Sequence, residues 1–202
     1  MPLLTIVPPM PGAERRFKPF VEFVHTCGWE TEFVSLEWTG DQPNFDSTAL
    51  FPQVGAQTAG KVVMGFSLGA VYSHLGALKA RHLILGSISP FFLEDDDEPK
   101  RWQVSYKAGN PATPADILVG GKEDEQMHRR AKAVYELYRA GQRSRAADLD
   151  SSPPASHLPA AHYSLPATSH SPTYTIVPDA EHELWHPNYL RAIKMALDRL
   201  KA

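Results

Sequence analysis

The stretch KVVMGFSLGAVYSHLGALKA, residues Lys61 to Ala80, joins a short apolar run to a longer segment rich in small residues. The run KVVM has the β-branched composition of a buried strand, and the segment from Leu68 onward has the pattern of a helix. Between them lies Gly65-Phe66-Ser67-Leu68-Gly69, which matches the pattern G-x-S-x-G. The stretch therefore predicts a strand, a sharp turn at Ser67 and a helix.

The residues around Ser67 are small where such a turn requires it. A serine presented between a strand and a helix has a strained backbone, so the positions two before and two after it must be small. Gly65 and Gly69 meet this requirement, and Ala70 keeps the next position small. The helix would also direct N–H groups and a partial positive charge toward the serine. We therefore expect Ser67 to be a nucleophile on an elbow-like turn, the alternative being a passive serine between two glycines.

Other apolar runs alternate with helical patterns along the whole chain. Strands are predicted at residues 3–7, 31–36, 61–66, 82–89, 116–121 and 173–177, and helices at 14–26, 68–80, 123–140 and 188–200, with a weak helical segment within 41–59. This alternation predicts the α/β class: a mostly parallel sheet of about six strands with helices on both faces.

Length and composition favour one intracellular globular domain. The 202 residues carry 20 basic and 23 acidic side chains, a formal net charge of -3, which gives no reason to expect nucleic acid or anionic lipid as a partner. Cys27 is the only cysteine, so an internal disulfide and a cysteine-based zinc site are excluded and a cytoplasmic location is expected. The sequence has no uninterrupted run of 18 apolar residues, so no membrane span is predicted. We expect neither cofactor nor metal. Composition leaves the oligomeric state open.

One segment departs from this compact pattern. Residues 141–172 are dense in Ser, Ala and Pro and have almost no large apolar side chains. Such a segment buries too little surface to offset its ordering entropy, so we expect a flexible insertion within the domain, with a lid over a pocket as the alternative.

The chain resembles a small α/β-hydrolase without a cap domain, and the resemblance covers the Ser67 turn and two later loops. In that family the acid and then the histidine of the triad follow the serine, each after a later strand. The sequence GGKED, residues 120–124, follows the apolar part of the predicted strand. Its last four residues form a family-like G-x-x-D that makes Asp124 the leading acid, with Glu123 and Glu125 as its neighbours. A second acid position used in some relatives would fall near residues 95–97, that is Asp95, Asp96 or Asp97.

The resemblance also indicates a histidine just before the last helix. His182 follows the strand TYTIV and the small residue Ala180, so it is the leading base. His186 is the competitor, although the proline after it indicates the start of the final helix. Other histidines, at positions 74, 82 and 128, are interpreted as structural.

In the same family, two backbone N–H groups stabilise the oxyanion of the reaction. One donor is expected from Leu68, next to the serine. The other is expected from the turn after the first strand, VPPMPG, where prolines leave only Met10 and Gly12 with an N–H. Alignment of the strand end favours Met10.

Together these residues predict a serine hydrolase that cleaves a small-molecule ester or thioester through an acyl-enzyme intermediate. His182 would take the serine proton and later protonate the leaving group, while Asp124 would hold the imidazole. Two alternatives remain: an acyltransferase with the same triad, and a non-catalytic binding protein on the same fold. A nucleotide binder is disfavoured because GFSLG matches neither G-x-G-x-x-G nor a P-loop.

Overall fold

Six short strands form one parallel sheet in the part of the chain that the structure describes. This structure is a computed structural model, and it describes residues 1–37, 49–89, 92–96, 104–150 and 171–201. The strands are β1 (Leu3–Val7), β2 (Glu30–Phe33), β3 (Val62–Phe66), β4 (His82–Gly86), β5 (Ala115–Gly120) and β6 (Thr173–Val177). Their order in the sheet is β2-β1-β3-β4-β5-β6, and every neighbouring pair is parallel.

Helices cover both faces of this sheet. They are α1 (Lys18–Thr26), α2 (Leu50–Thr58), α3 (Leu68–Gly76), α4 (Glu125–Asp150) and α5 (Pro187–Arg199). Helices α2, α3 and α4 pack on one face, in a core that includes Val63, Leu85 and Val119 of the strands. Helices α1 and α5 pack on the other face, against Ile6, Met64 and Leu118. The predicted α/β class, with helices on both faces of a six-stranded parallel sheet, is confirmed.

Successive residues of the central strands explain why both faces are apolar. Val62 and Val63 are neighbours on β3, yet they belong to the two different cores, because side chains alternate across a strand. A sheet that is buried on both sides therefore needs continuous apolar runs, which is what KVVM and HLIL provide. Each fully buried large apolar side chain contributes about 1.5–3 kcal/mol to folding.

Several element boundaries differ from the predictions: β4 ends at Gly86 and α3 at Gly76, both earlier than predicted, and β2 and α4 differ as well. Strand β2 ends at Phe33, and the backbone of Ser35 and Glu37 pairs with the side-chain amides of Gln57 and Gln53 on α2. Those amides satisfy polar backbone groups that a further strand would otherwise have to pair.

Helix α4 runs to Asp150, so the first ten residues of the predicted flexible insertion, 141–150, are helical. These ten residues, GQRSRAADLD, include two Ala, two Arg, one Gln and one Leu, which are strong helix formers. Gly141 also permits close contact with the 104–114 segment, since a Cβ at this position would lie 2.3 Å from the carbonyl oxygen of Pro111. Residues 151–170 of the predicted insertion lie outside the described residues. None of the helices within the described ranges is long and apolar enough to cross a bilayer.

A buried polar cluster lies where β4, β5 and β6 begin. Asp116 is 3% exposed, and its Oδ2 accepts a hydrogen bond from His82 Nε2 at 3.1 Å. Its Oδ1 accepts from the Thr173 hydroxyl and from Arg199 Nη2, the latter at 3.0 Å. Burial by itself raises the pKa of the Asp116 carboxyl, but the contacts with His82, Thr173 and Arg199 outweigh it and leave the pKa lowered. The cluster therefore ties three strands and the last helix together at the edge of the sheet where these strands start.

The substitution Asp116→Ala should lower the free energy of unfolding by about 2–3 kcal/mol, because it leaves the buried His82 imidazole without its carboxylate partner. The matched control is Glu136→Ala, which removes an exposed ion pair with Arg139 and should change stability by less than about 0.5 kcal/mol. Urea unfolding measures both, and equal losses would contradict the assignment.

Comparison of the parent protein with Asp116→Ala at several pH values gives a second test. Because the pKa of Asp116 is lower in the folded state, the carboxylate stabilises the fold fully above its unfolded pKa of about 3.9. That contribution to the free energy of unfolding is lost as the pH falls through the folded pKa. The stability difference between parent and Asp116→Ala should therefore be constant near neutral pH and shrink below about pH 4. A difference that grows in acid would contradict this reasoning.

Candidate active site

Ser67 occupies a strained turn between β3 and α3. Its backbone angles are φ 56° and ψ −123°, a combination that residues with a side chain rarely adopt. The Ser67 N–H donates to the carbonyl of Gly86 at 2.9 Å, and its carbonyl accepts from the N–H of Ala70 at 3.0 Å. The turn is thus held from both sides, by β4 and by the first turn of α3, and it leaves the serine side chain partly exposed.

The glycines on either side of Ser67 are in close backbone contact. A Cβ on Gly65 would lie 2.1 Å from the carbonyl oxygen of Gly69, and a Cβ on Gly69 would lie 2.3 Å from the carbonyl oxygen of Val7. Real Cβ atoms do not approach backbone this closely, so neither position can hold a side chain without displacement of the backbone. The two glycines therefore allow β1, β3 and α3 to meet at Ser67.

His182 lies directly against the serine. Its Nε2 atom is 2.8 Å from Ser67 Oγ, although the two residues are 115 positions apart in the sequence. The imidazole follows β6 on the loop before α5, and its ring packs on the ring of Phe66, with centroids 5.2 Å apart. The side chain is 43% exposed, so solvent reaches the histidine and the serine beside it.

The carboxylate beside His182 belongs to Glu123. Glu123 Oε2 lies 3.4 Å from His182 Nδ1, and the carboxylate is only 1% exposed. Burial raises the pKa of this carboxyl, but hydrogen bonds from His182, Ser87, Gly120 and Tyr189 outweigh it, and the pKa is lowered overall. Glu123 is therefore held as a buried anion next to the imidazole.

Asp124, the acid predicted from sequence, is placed elsewhere. It is exposed, and its Oδ1 accepts from the N–H of Met127 at 2.8 Å, which makes it the N-terminal cap of α4. A short acidic side chain at this position satisfies a free helix N–H. The carboxylate of the preceding residue, Glu123, instead contacts Ser87, Tyr189 and His182. The structure thus brings Ser67, His182 and Glu123 together, and not Asp124.

The other acids considered from sequence also have different surroundings. Asp95 accepts from the N–H of Phe92 at 2.6 Å and lies 3.4 Å from Arg130 Nε, so it organises its own turn. Asp96 is exposed, and Asp97 lies outside the described residues.

The remaining histidines named from sequence do not contact Ser67. His186 caps α5, since its Nδ1 accepts from the N–H of Asn188 at 3.3 Å. His74 is buried between the hydroxyl of Tyr138 and the carbonyl of Tyr106, and burial lowers its pKa to about 4. His82 belongs to the Asp116 cluster, and His128 lies on α4.

The predicted oxyanion donors lie on two segments that meet at the serine. Leu68 is the first residue of α3, so its N–H has no acceptor within the helix. Met10 follows β1 in a turn closed by a hydrogen bond from the N–H of Ala13 to its carbonyl, at 3.2 Å. Contact between Gly69 and the end of β1 places this turn beside the start of α3. The two N–H groups are thus on adjoining segments.

Sequence reasoning missed two residues that contact the carboxylate. Tyr189 OH donates to Glu123 Oε1 at 2.8 Å, and Ser87 Oγ donates to the same oxygen. Ser87 comes directly after β4, but it lies inside the strand predicted at 82–89, so the prediction gave no signal that its side chain leaves the strand. Tyr189 on α5 carries no local signal, because its contact with Glu123 spans 66 residues.

Comparisons with known proteins show a likeness of fold. No protein-family model matches the sequence, and no curated protein matches it significantly. Among solved structures, an uncharacterized protein from Bacillus cereus ATCC 10987 matches 100% of this chain with a TM-score of 0.58 and 11% identity. This chain spans 60% of the length of that protein.

Two further solved proteins are similar over nearly the whole chain. A thermophilic esterase, Est2, from the planctomycete Thermogutta terrifontis has a TM-score of 0.57 and 12% identity over 99% of this chain and 80% of its own. The same esterase phosphoramylated by tabun gives a TM-score of 0.59 and 11% identity, over 99% of this chain and 81% of the esterase. ClbQ from the colibactin NRPS/PKS pathway has a TM-score of 0.51 and 10% identity, over 98% of this chain and 96% of ClbQ.

The close contact at Gly69 gives a direct test of the turn. Gly69→Ala should lower the free energy of unfolding by about 3 kcal/mol or more, because the new methyl group would overlap the Val7 carbonyl. Gly121→Ala is the control, since its methyl group would lie 3.2 Å from the Val177 carbonyl oxygen and should cost about 1 kcal/mol or less. Urea unfolding compares them, and a Gly69→Ala protein as stable as the control would argue against the close packing.

Proposed function

We propose that this chain, which has the α/β-hydrolase fold, is a serine hydrolase that cleaves small carboxylic esters or thioesters. The observation that carries the proposal is the line of contacts from Ser67 Oγ to His182 Nε2, at 2.8 Å, and from His182 Nδ1 to Glu123 Oε2, at 3.4 Å. A nucleophile, a base and an acid that orients the base are the arrangement expected for acyl transfer through serine.

In this proposal, the Ser67 hydroxyl donates to His182 Nε2, which leaves the imidazole proton on Nδ1 facing Glu123. As Ser67 Oγ attacks the acyl carbon, Nε2 takes the hydroxyl proton and a tetrahedral oxyanion forms. Collapse of that intermediate breaks the bond to the leaving group, which receives the proton from Nε2. The product of this step is an acyl-enzyme on Ser67.

Glu123 takes the role that the sequence assigned to Asp124. A buried carboxylate against Nδ1 fixes the ring and stabilises the imidazolium that forms when Nε2 is protonated. The lowered pKa of Glu123 supports this role, since the residue is an anion at neutral pH. Asp124 is exposed and its Oδ1 binds the N–H of Met127 at the start of α4, which supports Glu123 and not Asp124 as the acid.

The backbone N–H groups of Leu68 and Met10 are the proposed oxyanion donors. The Leu68 N–H is free of an intrahelical acceptor and lies at the positive end of α3. The strained elbow at Ser67 supports this choice, since the turn presents the serine oxygen at the N-terminus of that helix. Removal of one such donor typically costs about 10²-fold to 10³-fold in rate.

Exposure of the site supports water as the second nucleophile. His182 is 43% exposed, so a water molecule can reach Nε2, lose a proton to it and attack the acyl-enzyme. The fold likeness to an esterase from T. terrifontis is consistent with ester substrates, and the tabun adduct of that esterase suggests an organophosphorus reagent as a probe.

A fluorophosphonate probe tests the nucleophile. The parent protein should be labelled, and Ser67→Ala should not be labelled at all, because the attacking oxygen is absent. His182→Ala should label much more slowly, by about 10³-fold or more, because the serine loses its base. Gel fluorescence after timed exposure, with mass mapping of the labelled peptide, makes the measurement.

His186→Ala is the matched control, since it removes a histidine four positions away that caps α5 and does not face Ser67. It should label at the parent rate. A parent protein that stays unlabelled, or a Ser67→Ala protein that labels equally well, rejects the hydrolase and favours a non-catalytic binding protein.

Kinetics on p-nitrophenyl acetate test the acid. Glu123→Gln should lower kcat by about 10³-fold, because the imidazole loses its anionic partner. Asp124→Asn should keep kcat within about twofold, since asparagine caps a helix nearly as well as aspartate. A large loss for Asp124→Asn with an active Glu123→Gln would return the acid role to Asp124.

A further inference from the structure

The two oxygen atoms of Glu123 have different partners. Oε1 accepts hydrogen bonds from the backbone N–H of Gly120 at 2.9 Å, from Tyr189 OH at 2.8 Å and from Ser87 Oγ. Oε2 faces His182 Nδ1 at 3.4 Å. Three donors on one oxygen fix the rotation of the carboxylate about its last bond, and the other oxygen is thereby directed at the imidazole.

We infer that Ser87 and Tyr189 are positioning residues: they bind Oε1 of Glu123 so that Oε2 is held toward His182. This inference rests on the proposed function, because it assigns the hydroxyls to the acid of the proposed triad. Neither hydroxyl can touch a substrate, since both side chains are 0% exposed. Their effect on the reaction must pass through Glu123.

Tyr189 is held in place independently of the carboxylate. It lies in the first turn of α5, and its ring packs edge to face on Phe66, with centroids 5.4 Å apart. Phe66 precedes Ser67 and also contacts the His182 ring, so one side chain sets the spacing of both rings. Burial raises the pKa of Tyr189, so the phenol keeps its proton and remains a donor to Glu123.

Ser87 is held by its backbone. It follows β4 with a positive φ of 47°, and its N–H donates to the carbonyl of Leu118 at 2.8 Å. A strained residue at the end of a central strand, with its hydroxyl against a buried carboxylate, indicates that the strain serves a specific side-chain placement. Ser87 Oγ and Tyr189 OH also lie within hydrogen-bond distance of each other, so each hydroxyl limits where the other can turn.

The first experiment compares Tyr189→Phe, Ser87→Ala and the parent in hydrolysis of p-nitrophenyl acetate, with the Ser67→Ala rate subtracted. Each single change should lower kcat on the order of tenfold, the effect of losing one hydrogen bond to a charged group. KM should stay within about twofold because neither side chain reaches the substrate. The control is Tyr138→Phe, which removes another fully buried phenol, one that bonds His74 and does not contact Glu123. It should leave kcat within about twofold.

The decisive measurement is a double-mutant cycle with Glu123→Gln. If Tyr189 acts through Glu123, adding Tyr189→Phe to Glu123→Gln should change kcat by less than about twofold, although it lowers the parent about tenfold. A merely structural role for Tyr189 would give the same loss in both backgrounds. Circular dichroism and urea unfolding confirm that each variant is folded at the assay temperature.

Three outcomes overturn the inference while leaving the proposed function intact: unchanged kcat in both single variants, additive losses in the cycle, or an equal loss for Tyr138→Phe. Each of these requires a parent protein whose activity depends on Ser67. A parent rate no higher than that of Ser67→Ala instead rejects the proposed function, and the inference falls with it.

Discussion

The contact between the end of β1 and the first turn of α3 is the constraint on which the site depends. The Val7 carbonyl occupies the space that a side chain at position 69 would fill. Because the backbones meet there, α3 can begin immediately after β3, and Ser67 must take its strained conformation to join them. Surrounding contacts, including the hydrogen bond from the Ser67 N–H to the Gly86 carbonyl on β4, offset the free-energy cost of that strain.

A parallel sheet then gathers the remaining groups. The loops after β3, β4, β5 and β6 all leave from the same edge, which is where ligands bind in sheets of this kind. Ser67, Ser87, Glu123 and His182 each come from one of these loops in turn. Parallel topology therefore converts the order of the strands in the chain into one site, although the residues are far apart in sequence.

The two buried carboxylates show how the edges of the sheet differ. Asp116, where β5 begins, has partners from β4, β6 and α5, and they tie the scaffold together. Glu123, beyond the other end of β5, is equally buried, and one of its partners is His182, which also contacts Ser67. Each buried anion thus has one partner that is 43% exposed, Arg199 for Asp116 and His182 for Glu123, but only His182 lies against a serine hydroxyl.

The fold and two members of the candidate site were predictable because their signals are local. Apolar runs alternating with helical patterns gave the α/β sheet, and small residues around Ser67 gave the turn. Position after a strand singled out His182. The length of α4 was underestimated because the Ser/Pro-rich composition that follows it masked a helical run ending at Asp150.

The acid could not be chosen from sequence, and the reason is physical. Glu123 and Asp124 are adjacent, carry the same charge, and both suit the start of a helix. Sequence by itself determined that three consecutive acidic residues, 123–125, follow β5, that a serine lies between two glycines and that a histidine follows β6. Only the tertiary structure decided which acid turns inward, because that depends on where β4, β6 and α5 place Ser87, His182 and Tyr189, whose contacts with Glu123 span 36 to 66 residues.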